Sequence, residues 1–130
     1  MTKQEYEYYR LVCKRPGMYV PTDDLTTVCA YIDGRASVDR SLIGFKEWLV
    51  VKADSGNNMH WSGLVSWMTN EAGIQEEKQK IAILGELLTE FYQFGESTPH
   101  DPLLVCYLRY YEWLKSKPWY REIDPVVLQT

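Results

Sequence analysis

The stretch QEEKQKIAILGELLTEFYQF, from Gln75 to Phe94, decides the fold class. Its large apolar residues recur three and four positions apart, which is the period of one face of an α-helix. Charged residues fill the opposite face. We therefore predict that this stretch is the longest helix and that its apolar stripe faces the core. The stripe consists of Ile81, Leu84, Leu87, Leu88 and Phe91.

Helical spacing also occurs on both sides of this stretch, and no stretch alternates apolar and polar residues as a strand does. The first helix runs from Thr2 to Lys14, and Pro16 and Gly17 after it fit the centre of a type II turn. We predict an all-α, single-domain bundle of about six helices over residues 1–130. The expected N-caps of the second and third helices are Thr22 or Asp23 and then Ser41, and a short fourth helix runs from about Ser62 to Asn70.

The last helix begins with Asp101 as N-cap and Pro102 at the first helical position, and Pro118 stops it. Residues 103–114 are apolar nearly all round the helix. Helices of this kind are normally buried on most sides, so we predict that this is the central helix of the bundle. The segment 119–130 carries many apolar residues, and we expect this tail to pack across the bundle.

Composition sets limits on the class of protein. The chain has 45% hydrophobic and 25% charged residues, which is typical of a folded domain and not of a disordered chain. The net charge of −4 argues against nucleic acid as a partner, because phosphate binding needs clustered Lys and Arg. No apolar run reaches the roughly 18 residues of a membrane span, and the first residues lack a signal-peptide pattern. We expect a soluble, cytoplasmic protein with no membrane partner.

The residues that most often carry chemistry are few. Three cysteines and two histidines are present, and their spacing matches no metal site. Cys13, Cys29 and Cys106 all lie in apolar segments, where a thiol is normally buried and unreactive. We predict that the chain binds no metal, has no catalytic residue and is not an enzyme. The enzyme alternative would require a concave pocket that holds His60 or His100 beside a carboxylate or thiol.

Two short motifs bear on nucleotide binding. The segment KRPGMYV, residues 14–20, resembles the Arg-Pro-Gly-Met-Tyr segment of type II topoisomerase ATPase domains. Asp33-Gly34-Arg35 resembles part of their Asp-x-Gly-x-Gly nucleotide box. However, Ser37 stands where the second glycine would lie, and the helical pattern lacks the sheet that such a domain needs. We therefore predict no cofactor, and we do not expect a small-molecule ligand.

A second resemblance covers roughly residues 8 to 95. Its parts are an early Arg15–Tyr19 turn, a helix with Tyr31–Arg35, the segment Gly44–Leu49, the pair His60-Trp61, and a long acidic helix that ends Glu90-Phe91-Tyr92. This order resembles small α-helical immunity proteins of bacterial polymorphic toxin systems, such as contact-dependent growth inhibition. The resemblance implies a cytoplasmic protein that binds and neutralises a cognate toxin domain.

The toxin hypothesis indicates where a partner would bind. Many such toxins are nucleases with basic substrate-binding faces, which an acidic inhibitor complements. Ten Tyr and five Trp also supply the residue types that dominate binding hot spots. The alternative is a small helical regulatory or scaffold protein that self-associates, for which we expect an exposed apolar patch paired across a two-fold axis. The predicted partner-binding residues are Asp54, Asn57, Asn58, His60 and Trp61 in a loop, and Glu76, Glu77, Glu86 and Glu90 on the long helix.

Overall fold

The computed structural model describes residues 1–121, and within this range the chain forms six α-helices, one 3₁₀ helix and no strand. The predicted all-α fold is confirmed. Residues 122–130, which include most of the predicted tail, lie outside the described range. The helices are α1 Lys3–Lys14, the 3₁₀ helix Pro16–Met18, α2 Leu25–Asp39, α3 Phe45–Ala53, α4 Trp61–Glu71, α5 Glu77–Ser97 and α6 Pro102–Lys115.

Helix α5 occupies the centre of the bundle. It packs against α1, α2, α4 and α6. Four of its five predicted stripe residues, Ile81, Leu84, Leu87 and Leu88, are buried. Helix α1 crosses α5 closely at Gly85. A Cβ added at this glycine would lie only 3.3 Å from the Cβ of Cys13.

An aromatic cluster joins three of the helices. Phe45 at the start of α3 is fully buried. Its ring centroid lies 5.1 Å from that of Phe91 on α5 and 5.5 Å from that of Trp61 on α4. These separations fall within the range of favourable aromatic pairs, so the cluster fixes α3, α4 and α5 against one another.

The N-cap of the third helix differs from the prediction. Helix α3 begins after Gly44, and Ser41 does not cap it. Ser41 is only 4% exposed, and its hydroxyl is hydrogen-bonded to that of the buried Tyr9. The Tyr9 hydroxyl also donates to Asp39 at 3.0 Å. Ser41 is therefore part of a buried polar network that joins α1 to the end of α2, a contact between residues 32 positions apart.

Two other local predictions are also corrected. Asp24 caps α2, one or two residues after the predicted Thr22 or Asp23, and its carboxylate accepts a hydrogen bond from the Thr27 N–H at 2.7 Å. The segment after α1 is a 3₁₀ helix and not a type II turn: the Met18 and Tyr19 N–H groups donate in succession to the Arg15 and Pro16 carbonyls. Gly17 does not adopt the positive φ that a type II turn requires.

The prediction that the last helix is central is wrong. Helix α6 lies at the edge of the bundle, against α3 and part of α5. Its inner face packs through Cys106, Tyr110 and Trp113, while Leu104 and Leu108 on the outer face are 54% and 55% exposed. The physical reason is that α5 already fills the centre, so that α6 contacts the bundle with one face only.

None of the helices formed by residues 1–121 is long and apolar enough to cross a lipid bilayer.

Candidate partner-binding site

Asp54 is the C-cap residue of α3, and its side chain is hydrogen-bonded to residues at the end of α6. It adopts a left-handed conformation with φ of 53°. Its Oδ1 atom accepts hydrogen bonds from Trp113 Nε1 and from Lys117 Nζ, each at 2.6 Å. The bond to Lys117, followed by that to Trp113, lowers the pKa of the Asp54 carboxyl. The charge that we predicted for a basic partner is therefore already paired within the chain.

A polar cleft lies beside Asp54. It has a volume of about 390 Å³, and Asn57 and Asn58 line it together with the indoles of Trp113 and Trp119. The Asn57 amide donates to the Asn58 side-chain oxygen at 3.4 Å, which is a weak bond. The cleft combines amide hydrogen-bonding groups with apolar indole surface, so it suits a polar or aromatic side chain of a protein partner.

The next two predicted residues differ in accessibility. His60 is the N-cap of α4, where its Nδ1 accepts from the Ser62 N–H at 3.2 Å, and its side chain is exposed. Trp61 is only 5% exposed, and its Nε1 donates to Asp33 Oδ1 at 3.0 Å. The structure thus places Trp61 in the core and His60 on the surface. Asp33, which was noted in the sequence only for its resemblance to a nucleotide box, contacts both residues, since His60 Nε2 lies 3.4 Å from the same oxygen.

The groups that could carry chemistry have structural partners. Ser62 Oγ lies 3.0 Å from His60 Nδ1, and His60 Nε2 contacts Asp33 Oδ1. The imidazole therefore lies between a hydroxyl and a carboxylate. His60 Nδ1 also accepts the Ser62 N–H that caps α4, so the imidazole has a structural role at the start of this helix. Burial raises the pKa of the Cys29 thiol to about 12 and that of Cys106 to about 11. Residues 1–121 contain no group of three His, Cys, Asp or Glu side chains placed to hold a metal ion.

The predicted glutamates of α5 are partly neutralised. Glu90 lies 2.6 Å from Lys52 Nζ, and Glu77 lies 3.8 Å from Lys80 Nζ. In the described part of the chain, no cation lies within ion-pair distance of Glu76 or Glu86. No hydrogen bond or ion pair within that part links the Asp54 loop to these glutamates. The charges of Asp54, Glu77 and Glu90 are therefore already paired within the chain, whereas Glu76 and Glu86 have no ion-pair partner within residues 1–121.

A different acidic surface lies where α1 meets the end of α5. The rings of Tyr6 and Tyr92 are stacked, with centroids 4.4 Å apart and planes within 1°. The exposed Glu7 and Glu96 lie close to these rings. Desolvation is the largest cause of the raised pKa of Tyr92, and the negative charge of Glu96 is the second largest. We call Tyr6, Glu7, Tyr92 and Glu96 the acidic edge. Sequence reasoning missed it because the register between two helices so far apart in the chain leaves no local pattern.

No protein-family model matches the chain, and no curated protein or solved structure matches it either. The placement and pairing of its own charged and aromatic residues are therefore the basis for inferring function. The acidic edge and the cleft beside Asp54 are therefore the two candidate sites.

Proposed function

We propose that this chain is a cytoplasmic immunity protein that binds a cognate toxin domain and neutralises it by protein–protein contact. The observation that carries the proposal is the acidic edge. Within residues 1–121, no cation lies within ion-pair distance of Glu7 or Glu96. Their charges are thus available to a basic partner, unlike those of Asp54 and Glu90.

The chemistry of the acidic edge fits a toxin that acts on nucleic acid. The substrate-binding face of a nuclease is basic because it binds phosphate groups. Two carboxylates on the inhibitor would occupy positions that phosphates take in the substrate complex. Opposite charge accelerates the encounter of two proteins, so the net charge of −4 also favours a basic partner.

The tyrosines of the acidic edge are arranged in advance of binding. Tyr6 is held by its stacking on Tyr92 and by a hydrogen bond of 3.0 Å between its hydroxyl and Thr89 Oγ1. A side chain that is already ordered loses little conformational entropy when a partner binds. Aromatic anchors of this kind commonly set the dissociation rate of a complex.

The predicted loop would supply a second contact. Asn57 and Asn58 line the cleft beside Asp54, and His60 is exposed next to it in the chain. Trp61 would contribute through the stability of the loop, because its indole is buried. Within residues 1–121 neither Glu76 nor Glu86 has an ion-pair partner, and both remain predicted contacts.

The test is calorimetric binding to the C-terminal domain of the large protein encoded next to this gene, at two salt concentrations. We expect tight binding that weakens with salt. Glu96→Lys should weaken binding at least about 10-fold, because like charges would then meet. The matched control is Glu71→Lys, which changes the net charge equally at the exposed end of α4 and should have little effect.

Three results would count against the proposal. Absence of binding to a folded, active toxin domain would remove the immunity function for that pair. Equal weakening by Glu96→Lys and Glu71→Lys would show that net charge matters and the acidic edge does not. Hydrolysis of nucleic acid that continues in the presence of bound protein would show binding without neutralisation.

A further inference from the structure

The outer face of α6 carries a regular pattern of residues. Asp101, Leu104, Leu108, Tyr111 and Lys115 follow one another at spacings of three, four, three and four. This is the spacing of the two core positions in a coiled-coil heptad. We call these five residues the α6 seam. All of them are exposed, and their apolar members lie in the middle of the helix, between an acid at one end and a base at the other.

The exposed apolar area is large for a chain of this size. Leu103 and Tyr107 flank the seam and are each 40% exposed, so five large apolar side chains are open for about half of their surface. Together they expose roughly 450 Å², within the range in which the largest patch of a monomer is often functional. Homodimer interfaces are about two-thirds apolar, so an interface with an apolar part of this size would bury roughly 700 Å² of surface per chain. A standard stable interface needs about 800 Å².

The charges at the ends of the seam select a second copy as the occupant. Within residues 1–121, Asp101 and Lys115 have no ion-pair partner. When two α6 helices pair antiparallel, Asp101 of one copy approaches Lys115 of the other, at both ends of the pair. The helix dipoles are then opposed as well, which is the favourable arrangement. A parallel pair would instead place like charges together.

The inner face of α6 is fixed independently of the seam. The Cys106 thiol donates to the Gly44 carbonyl at 3.3 Å, and Trp113 and Lys117 both donate to Asp54. A second copy could therefore cover the seam without opening the fold. We infer that the α6 seam is the interface of an antiparallel homodimer. This inference does not rest on toxin binding, since no residue of the acidic edge belongs to the seam.

The test is the mass of the full chain in solution, measured by sedimentation equilibrium from about 1 to about 200 µM. The mass should rise from 15.3 kDa toward twice that value as concentration increases. Leu108→Lys should weaken association at least about 100-fold, because it buries an unpaired charge at the two-fold axis. The control is Val38→Lys on α2, where the valine is 85% exposed, and this variant should associate like the wild type.

A second variant tests the orientation of the pair. Asp101→Asn keeps an N-cap residue but removes the charge, so α6 should still form. Association should weaken a few-fold at low salt, and the difference should vanish at high salt. If Leu108→Lys does not fold by circular dichroism, Leu104→Lys replaces it.

The inference has clear failing outcomes. A wild-type mass that stays at 15.3 kDa to the highest concentration would overturn it, and the seam would then be covered by another occupant, such as residues 122–130 of the same chain or a toxin. Dissociation by Val38→Lys to the same extent as by Leu108→Lys would also overturn it. Weakening by Asp101→Asn that is independent of salt would overturn the antiparallel arrangement.

Discussion

Replacing Gly44 by alanine tests how α6 is held to the bundle. Gly44 precedes α3 with φ of 88°, a conformation that favours glycine. A Cβ at this position would lie 2.7 Å from Leu103 Cδ1 on α6. The substitution therefore strains the start of α3 and also presses on the first turn of α6.

The size of the effect follows from these two terms. A non-glycine residue in the left-handed region costs about 1–2 kcal/mol. The contact with Leu103 adds about 1 kcal/mol, at the low end for overpacking, because that side chain is partly exposed and its end can move. We expect Gly44→Ala to reduce the free energy of unfolding by about 2–3 kcal/mol.

Two other glycines provide matched controls. Gly73 has φ of 77° and no atom within 4 Å of an added Cβ, so Gly73→Ala should lose only the backbone term of about 1–2 kcal/mol. Gly34 lies inside α2 with the same open space and no positive φ, so Gly34→Ala should gain up to about 1 kcal/mol. Urea unfolding at low protein concentration, followed by tryptophan fluorescence, measures all three.

The combination with Leu103→Ala isolates the contact between the two residues. In this background the excess loss of Gly44→Ala over Gly73→Ala should disappear, since the atom that clashes is gone. The reasoning is refuted if Gly44→Ala is no more destabilising than Gly73→Ala. It is also refuted if the excess loss persists without the Leu103 side chain.

Three further predictions concern the core. The pKa of the Cys29 thiol is raised to about 12 from 9.0 mainly by burial, so the folded chain retains this proton longer than the unfolded chain. Stability should therefore fall as pH rises from 9 toward 12, and at pH 10.5 the fall should be about 2 kcal/mol smaller in Cys29→Ala than in the wild type when urea unfolding is followed against pH. Tyr9→Phe removes a buried hydroxyl that has two hydrogen-bond partners, so it should reduce the free energy of unfolding in urea by about 1–2 kcal/mol. The control is Tyr19→Phe. The Tyr19 hydroxyl makes no hydrogen bond in the described structure, so this change should cost less than about 0.5 kcal/mol. Trp61→Phe should cost about 1–3 kcal/mol, because the smaller ring leaves space beside Phe45 and loses the bond to Asp33, and retention of full stability would contradict the buried position of Trp61.

Several features that depend on local sequence were predictable, although the N-cap of α2 and the turn at Pro16 were not. The stripe on α5 is correct because its period is set by the helix itself, and the start of α6 is correct because Asp101 caps it with a bond of 3.1 Å to the Leu104 N–H. Ser41 failed as a cap because its hydroxyl is used by Tyr9, from another helix. A residue with capping chemistry can serve either purpose, and only the tertiary contact decides which.

Features that depend on tertiary position were not predictable. The apolar character of α6 indicated that the helix needs apolar surroundings, but it did not say on how many sides the bundle would provide them. Trp61 shows the opposite error, since an aromatic residue beside a polar loop was expected on the surface and lies in the core. In both cases composition is informative about the need for burial and silent about its location.

The same distinction applies to charge and bears on both proposed surfaces. Asp54, Glu77 and Glu90 were predicted contacts because they are acidic, yet each has a lysine within 4 Å. An acid that is paired within its own chain offers a partner little, because the partner must compete with the existing cation. Glu96 and Asp101 lack such a cation within residues 1–121, and they line one cleft of about 370 Å³ between the end of α5 and the start of α6. For both proposals we therefore expect recognition to depend on the acids that have no cation nearby within residues 1–121, and not on the number of acidic residues.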